Sequence, residues 1–108
     1  MLDLNSEDRA YICRLLDIYG AALSERHRDL ADLYYNEDLS LAEISENCGL
    51  TRQGVRDAVR RAVSDLLSFE SALGFAKKSE RIISLAERLK AKGDKDLDII
   101  ADSIIGEL

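Results

Sequence analysis

Six residues near the middle of the chain have the types and spacing to do recognition chemistry: Arg52, Gln53, Arg56, Asp57, Arg60 and Arg61. An arginine guanidinium offers paired N–H donors to a guanine edge or a phosphate, and a glutamine amide can bond an adenine edge. Aspartate is tolerated on such a surface where it accepts from a cytosine amine, and it repels phosphate. On a helix, Gln53, Asp57, Arg60 and Arg61 fall opposite the apolar residues Val55, Ala58, Val59 and Ala62, with Arg52 and Arg56 along one flank. The chemistry expected of this set is salt-sensitive contact with a nucleic acid.

No other constellation competes with it. His27 is the single histidine and stands among charged residues, so it reads as a solvated side chain. Cys13 and Cys48 are far apart, with no CxxC pair, which argues against zinc and against a disulfide framework. Both read as small buried hydrophobes. The carboxylates are scattered over helix faces, where capping and solubility account for them. No phosphate-binding glycine loop is present. We therefore expect neither an enzyme nor a bound metal or cofactor.

The elements that must position the six residues lie between Leu39 and Arg61. Ser40 with Glu43 three residues on forms a capping box for a short helix carrying Leu41, Ile44 and Cys48 on one face. Gly49 supplies a left-handed stop, Leu50 tucks in after it, and Thr51 caps a second helix. That helix has the apolar series Val55, Ala58, Val59, Ala62, Val63, Leu66 and Leu67, so it is long and buried on one face. Two short-turned helices with a basic second member make a helix-turn-helix, which places one helix in a groove. Gly54 is unexpected inside a helix, where it costs about 1 kcal/mol against alanine. It marks either a close backbone approach or an irregularity in the first turn.

The flanking sequence is helical throughout. A first helix is predicted over residues 6–20, capped by Asn5 or Ser6, with Glu7 and Asp8 at its N-terminal end and Ile12, Leu15, Leu16 and Tyr19 facing inward. Ser24 caps a second over residues 25–35, with Leu30, Leu33 and Tyr34 inward. Gly74 interrupts the run after the recognition helix, and a fifth helix follows from Phe75 to Lys92 with Ile82, Ile83, Ala86 and Leu89 as its stripe. Lys77, Lys78 and Arg81 on it read as a solvated basic face. After a turn at Lys92–Asp94 comes a last helix, LDIIADSIIGEL. Its stripe of Leu97, Ile100, Ala101, Ile104, Ile105 and Leu108 must be covered by this chain or by a partner, and all of these but Ala101 are candidates for a dimer or docking surface.

Composition agrees with an all-α helical bundle. Apolar residues are 46% of the 108, aromatics only 6%, and proline is absent. We expect a core domain over residues 1–70 and a helical C-terminal extension over 71–108 that packs on the core or on a partner. Net charge is −6, and it is uneven. Residues 1–50 hold four basic and eleven acidic side chains, whereas residues 51–68 hold four arginines against two aspartates. The recognition helix is thus a locally basic element in an acidic chain, where a nucleic-acid binder is usually basic over a whole face. No apolar run approaches the ~20 residues of a membrane span, and the acidic first residues are unlike a signal peptide, so a cytoplasmic protein without membrane insertion is expected.

From Ser24 to Leu67 the chain resembles region 4 of bacterial sigma factors, through LSLAEISENCGLTRQGVRDAVRRAV with its T-R-x-x-V-R opening. It is still more similar to the YlxM family of small bacterial helix-turn-helix proteins, through DRAYICRLLDIYGAALSERHRDLADLYYNEDLSLAEISE and LTRQGVRDAVRRA, covering about residues 8–68. The YlxM resemblance implies a DNA-binding or regulatory role tied to the signal recognition particle pathway. DNA or the signal-recognition RNA, and the proteins Ffh and FtsY, are the partners it suggests. The sigma resemblance implies that Arg52, Gln53, Arg56 and Asp57 occupy promoter-contacting positions. Sigma factors commonly have glutamate where this chain has Gln53, arginine at Gly54 and glutamine at Asp57. One cation lost and one anion gained weigh against recognition of that same promoter element. The alternative reading is a protein–protein adaptor that modulates the Ffh and FtsY machinery without binding DNA.

Overall fold

A computed structural model describes residues 9–108. Among these there are six α-helices, one 3-10 turn and no strand, so the protein is all-α. The helices are α1 (Arg9–Tyr19), α2 (Glu25–Tyr35), α3 (Leu41–Cys48), α4 (Arg52–Leu73), α5 (Phe75–Lys90) and α6 (Lys95–Gly106). They fall into two compact units, Met1–Leu73 and Gly74–Leu108. The expected caps Asn5 and Ser6, with Glu7 and Asp8, lie outside the described residues.

The first unit packs α1, α2 and α3 against α4. Its core is Leu15, Ile44, Val55, Val59, Val63 and Leu66, each shielded almost completely from solvent. The 3.6-residue period dictates this: Ile12, Leu15, Leu16 and Tyr19 share one face of α1, and the valines and Leu66 share one face of α4. Leu30 and Tyr34 of α2 are buried as expected, joined by Ala31 and Tyr35, while Leu33 and Leu67 are only half-buried. Ser24 Oγ accepts from the His27 N–H at 3.2 Å, which closes the first turn of α2 and holds His27 half-buried at its start.

Arg9 ties α1 to α2. Its guanidinium lies over the rings of Tyr34 and Tyr35 at 4.8 and 5.0 Å, donates to the Tyr34 carbonyl at 2.7 Å and pairs with Asp38 at 3.3 Å. Burial pushes the Tyr35 phenol up to about 12, with the neighbouring Tyr34 adding to the shift. In the unfolded chain the same phenol ionises near 10, so between these values the folded state holds the extra proton. Stability is therefore expected to fall as pH rises from about 10 to 12, by at most ~3 kcal/mol. The pH dependence of urea unfolding checks this: Tyr35→Phe should flatten the decline, and an equally steep decline in that variant would exclude Tyr35 as its source.

Two cysteine expectations need correction. Cys13 is half-buried, its Sγ donating to the Tyr35 carbonyl at 3.5 Å, and burial raises its thiol pKa. Cys48 is exposed. It has the right phase for the inward face of α3, but it is the last residue before the chain turns away at Gly49, so nothing packs over it.

The second unit is an antiparallel hairpin of α5 and α6. Helix α5 ends at Lys90 rather than Lys92, and α6 begins at Lys95 because Asp94 caps it, accepting from Asp96 and Leu97 at 2.8 and 3.4 Å. Lys90 Nζ bonds Asp102 across the hairpin at 2.9 Å, which raises the lysine pKa. The buried face of each helix carries alanine, Ala86 and Ala101. Ile83, Leu89, Leu97 and Ile105 are half-buried beside them. Ile100, Ile104 and Leu108, expected on the covered stripe of the last helix, are 52%, 37% and 55% exposed.

Candidate nucleic-acid interface

The turn between α3 and α4 is built by side-chain caps. Ser40 Oγ accepts from the Glu43 N–H at 3.0 Å, and the Glu43 carboxylate accepts from the Ser40 N–H at 3.1 Å. Both bonds of the capping box satisfy donors that the first turn of α3 leaves open. Gly49 closes the helix at φ 67°, and the next N–H, of Leu50, donates to the Ser45 carbonyl at 3.1 Å. The Ser45 hydroxyl donates in return to the Leu50 carbonyl, so one serine stitches the turn to α3 from both sides. Ser45 drew no attention in the sequence, since a serine inside a helix carries no signal of such a role.

Thr51 Oγ1 then accepts from the Gly54 N–H at 3.0 Å, and the Thr51 carbonyl accepts from the Val55 N–H at 3.0 Å. Helix α3 packs against α4, and Ile44 on the one and Val55 on the other are wholly buried. The irregularity at Gly54 now has a local account. A Cβ there would meet only Thr51 Oγ1, at 3.1 Å, with no other atom near. Thr51 is exposed and its hydroxyl can shift by a few tenths of an ångström. Gly54→Ala is therefore expected to stabilise the first unit by up to about 1 kcal/mol through lost chain entropy. A lower thermal midpoint in Gly54→Ala would mean that the Thr51 cap cannot give way.

This frame presents the six recognition candidates on the first three turns of α4. Arg52, Gln53, Asp57 and Arg61 are exposed, whereas Arg56 and Arg60 are half-buried. Gln53 Nε2 donates to Asp57 Oδ1 at 2.8 Å, and Arg61 Nε donates to Asp65 Oδ1 at 3.2 Å. Both are i,i+4 pairs, which the spacing alone could have signalled. Arg60 Nε is buried without a hydrogen-bond partner among the described residues. Arg52 and Arg56 stand one turn apart and form no ion pair among the described residues. Arg52, Arg56 and Arg60 are thus the cations of α4's first turns that no carboxylate engages among the described residues, and Arg52 is the exposed one of the three. Helix α3 carries Glu43 and Glu46 and no cation, so it adds no positive charge to that of α4.

A family model described as "Putative helix-turn-helix protein, YlxM / p13 like" matches residues 6–103 of the chain. The chain belongs to this family. Family relatives agree along most of their length. A UPF0122 protein of Clostridium botulinum is 43% identical, the match covering 83% of this chain and 89% of the relative. Others from a Thermoanaerobacter species and from Clostridium perfringens are each 38% identical over 89% of this chain, covering 79% and 86% of those relatives. The match spans α3, the turn at Gly49 and Leu50, and α4. No described helix is long and apolar enough to cross a membrane.

Proposed function

We propose that this is a cytoplasmic regulatory protein that binds DNA or the signal-recognition RNA through α4 and acts in the signal recognition particle pathway. One observation carries the reading: Arg52 and Arg56 form no ion pair among the described residues, and they stand at the start of a helix capped by Thr51 whose other face is buried through Val55. Arg60 and Arg61 extend the contact along the helix, and Gln53 with Asp57 forms a hydrogen-bonded acceptor and donor unit beside it. An aspartate already holding a glutamine amide presents less bare negative charge to a phosphate than a solvated one. The link to the signal recognition particle pathway rests on the resemblance to the YlxM family.

A competing reading is an adaptor that touches Ffh or FtsY without nucleic acid. It draws on the acidic surroundings of α4 and on the exposed Ile100, Ile104 and Leu108 of α6, with Leu97 and Ile105 beside them. Titration of labelled duplex DNA and of the signal-recognition RNA over a range of salt decides between the two. Binding that weakens steeply with salt is expected. No binding to either in low salt, together with cross-linked capture of Ffh or FtsY, would replace the first reading by the second.

A further inference from the structure

The α5–α6 hairpin has an unpaired apolar face and a segregated charge. On α5, Ile82 and Leu85 are 37% and 58% exposed, and on α6 Ile100, Ile104 and Leu108 are similarly bare. Each stripe lies about a quarter-turn to the same rotational side of the buried residues of its helix, Ala86 on α5 and Ala101 on α6. Because the helices run antiparallel, equal rotational offsets bring the two stripes onto the same face of the hairpin. Two antiparallel helices alone do not enclose a core, and such a face is normally buried in a bundle.

Charge selects the occupant. Residues 75–92 hold six cations against two carboxylates, and residues 94–108 hold one cation against five carboxylates. The hairpin is therefore positive along one helix and negative along the other. A second copy stacked face to face about a two-fold axis parallel to the helices sets each α5 against the α6 of the other copy. All neighbouring helices are then antiparallel and of opposite charge. Turning the axis across the helices would instead oppose like charges. In the first arrangement, residues at equal distance from the turn meet. Leu85 comes against Ile100 and Ile104 of the second copy, and Lys92 comes against its Asp96. Arg81 lies beside its Glu107. An open groove of about 560 Å³ next to Leu85, lined also by Arg88, Leu89, Ala91 and Lys92, is at the height of Ile100 of the second copy.

We propose that two copies of this chain associate through their α5–α6 hairpins into a symmetric four-helix bundle. The bundle joins two helix-turn-helix units in one particle, and, resting on the function proposed above, each particle then carries two α4 helices for nucleic acid. Sedimentation equilibrium of the full chain tests it. The expected mass is twice the 12.1 kDa of one chain. Ile100→Glu with Ile104→Glu, or Leu85→Lys alone, should return the single-chain mass with helicity unchanged. Ile99→Glu, on the other side of α6 and 65% exposed, should leave the doubled mass intact. Glu107→Lys should weaken association, and adding Arg81→Glu should restore it. A wild-type protein that stays at single-chain mass overturns the proposal, as does a doubled mass that survives Leu85→Lys or an absence of rescue in the charge-swapped pair.

Discussion

Arg52→Ala combined with Arg56→Ala is expected to weaken nucleic-acid binding about a hundredfold or more and to lower the slope of log K against log salt by about 2. Both effects follow from the placement of these arginines. Neither is held by a carboxylate among the described residues, so each guanidinium is available to a phosphate or a base edge. Each phosphate contact releases about one condensed counterion, which sets the change in slope. Arg61→Ala is the control. Arg61 already bonds Asp65 at 3.2 Å, so it gives up an intrahelical pair before it can reach a ligand, and its loss should cost less than tenfold. Fluorescence anisotropy in a salt series measures both quantities. Equal losses in the control and in the double variant would remove the Arg52–Arg56 edge from the interface.

Ile44→Ala should cost the first unit about 2–5 kcal/mol, a large fraction of the stability of a unit of this size. Helix α3 has eight residues, too short to persist without tertiary packing. Ile44 is its buried residue, wholly shielded, and meets the α4 face that carries Val55 and Val59. Truncation leaves a cavity at the junction that fixes the angle of the two helices. The neighbouring Leu41 is half-buried, and Leu41→Ala should cost less than half as much. Urea unfolding gives both values. Amide exchange should show α3 losing protection before α4. A loss under about 1 kcal/mol for Ile44→Ala would mean that caps, rather than packing, hold α3 in place.

Much of this architecture could be read from residue order because the signals are local. The Ser40–Glu43 box, the left-handed Gly49 and the Thr51 cap depend on atoms a few residues apart, so the turn was predictable to the residue. The apolar period of α4 is likewise intrinsic to the chain and named every buried position on it, together with Leu67, which is only half-buried. Periodicity reports which side chains share a face, however, and not whether another element covers that face. Cys48 has the inward phase and is exposed, because α3 ends under it. Ile100, Ile104 and Leu108 have the same phase as a core stripe, but the hairpin seam runs through Ala101 and leaves them bare. The commitment of side chains was also beyond composition. A local charge of +2 over residues 51–68 treats four arginines alike. The folded chain separates them: Arg61 pairs with Asp65, Arg60 has a buried Nε without a partner among the described residues, Arg56 is half-buried and Arg52 is exposed, neither of the last two in an ion pair among those residues. Local hydrogen bonds and helical period are properties of neighbouring residues, and these the sequence determined by itself. Coverage and charge pairing depend on which surfaces meet in space, and only the tertiary structure decided them.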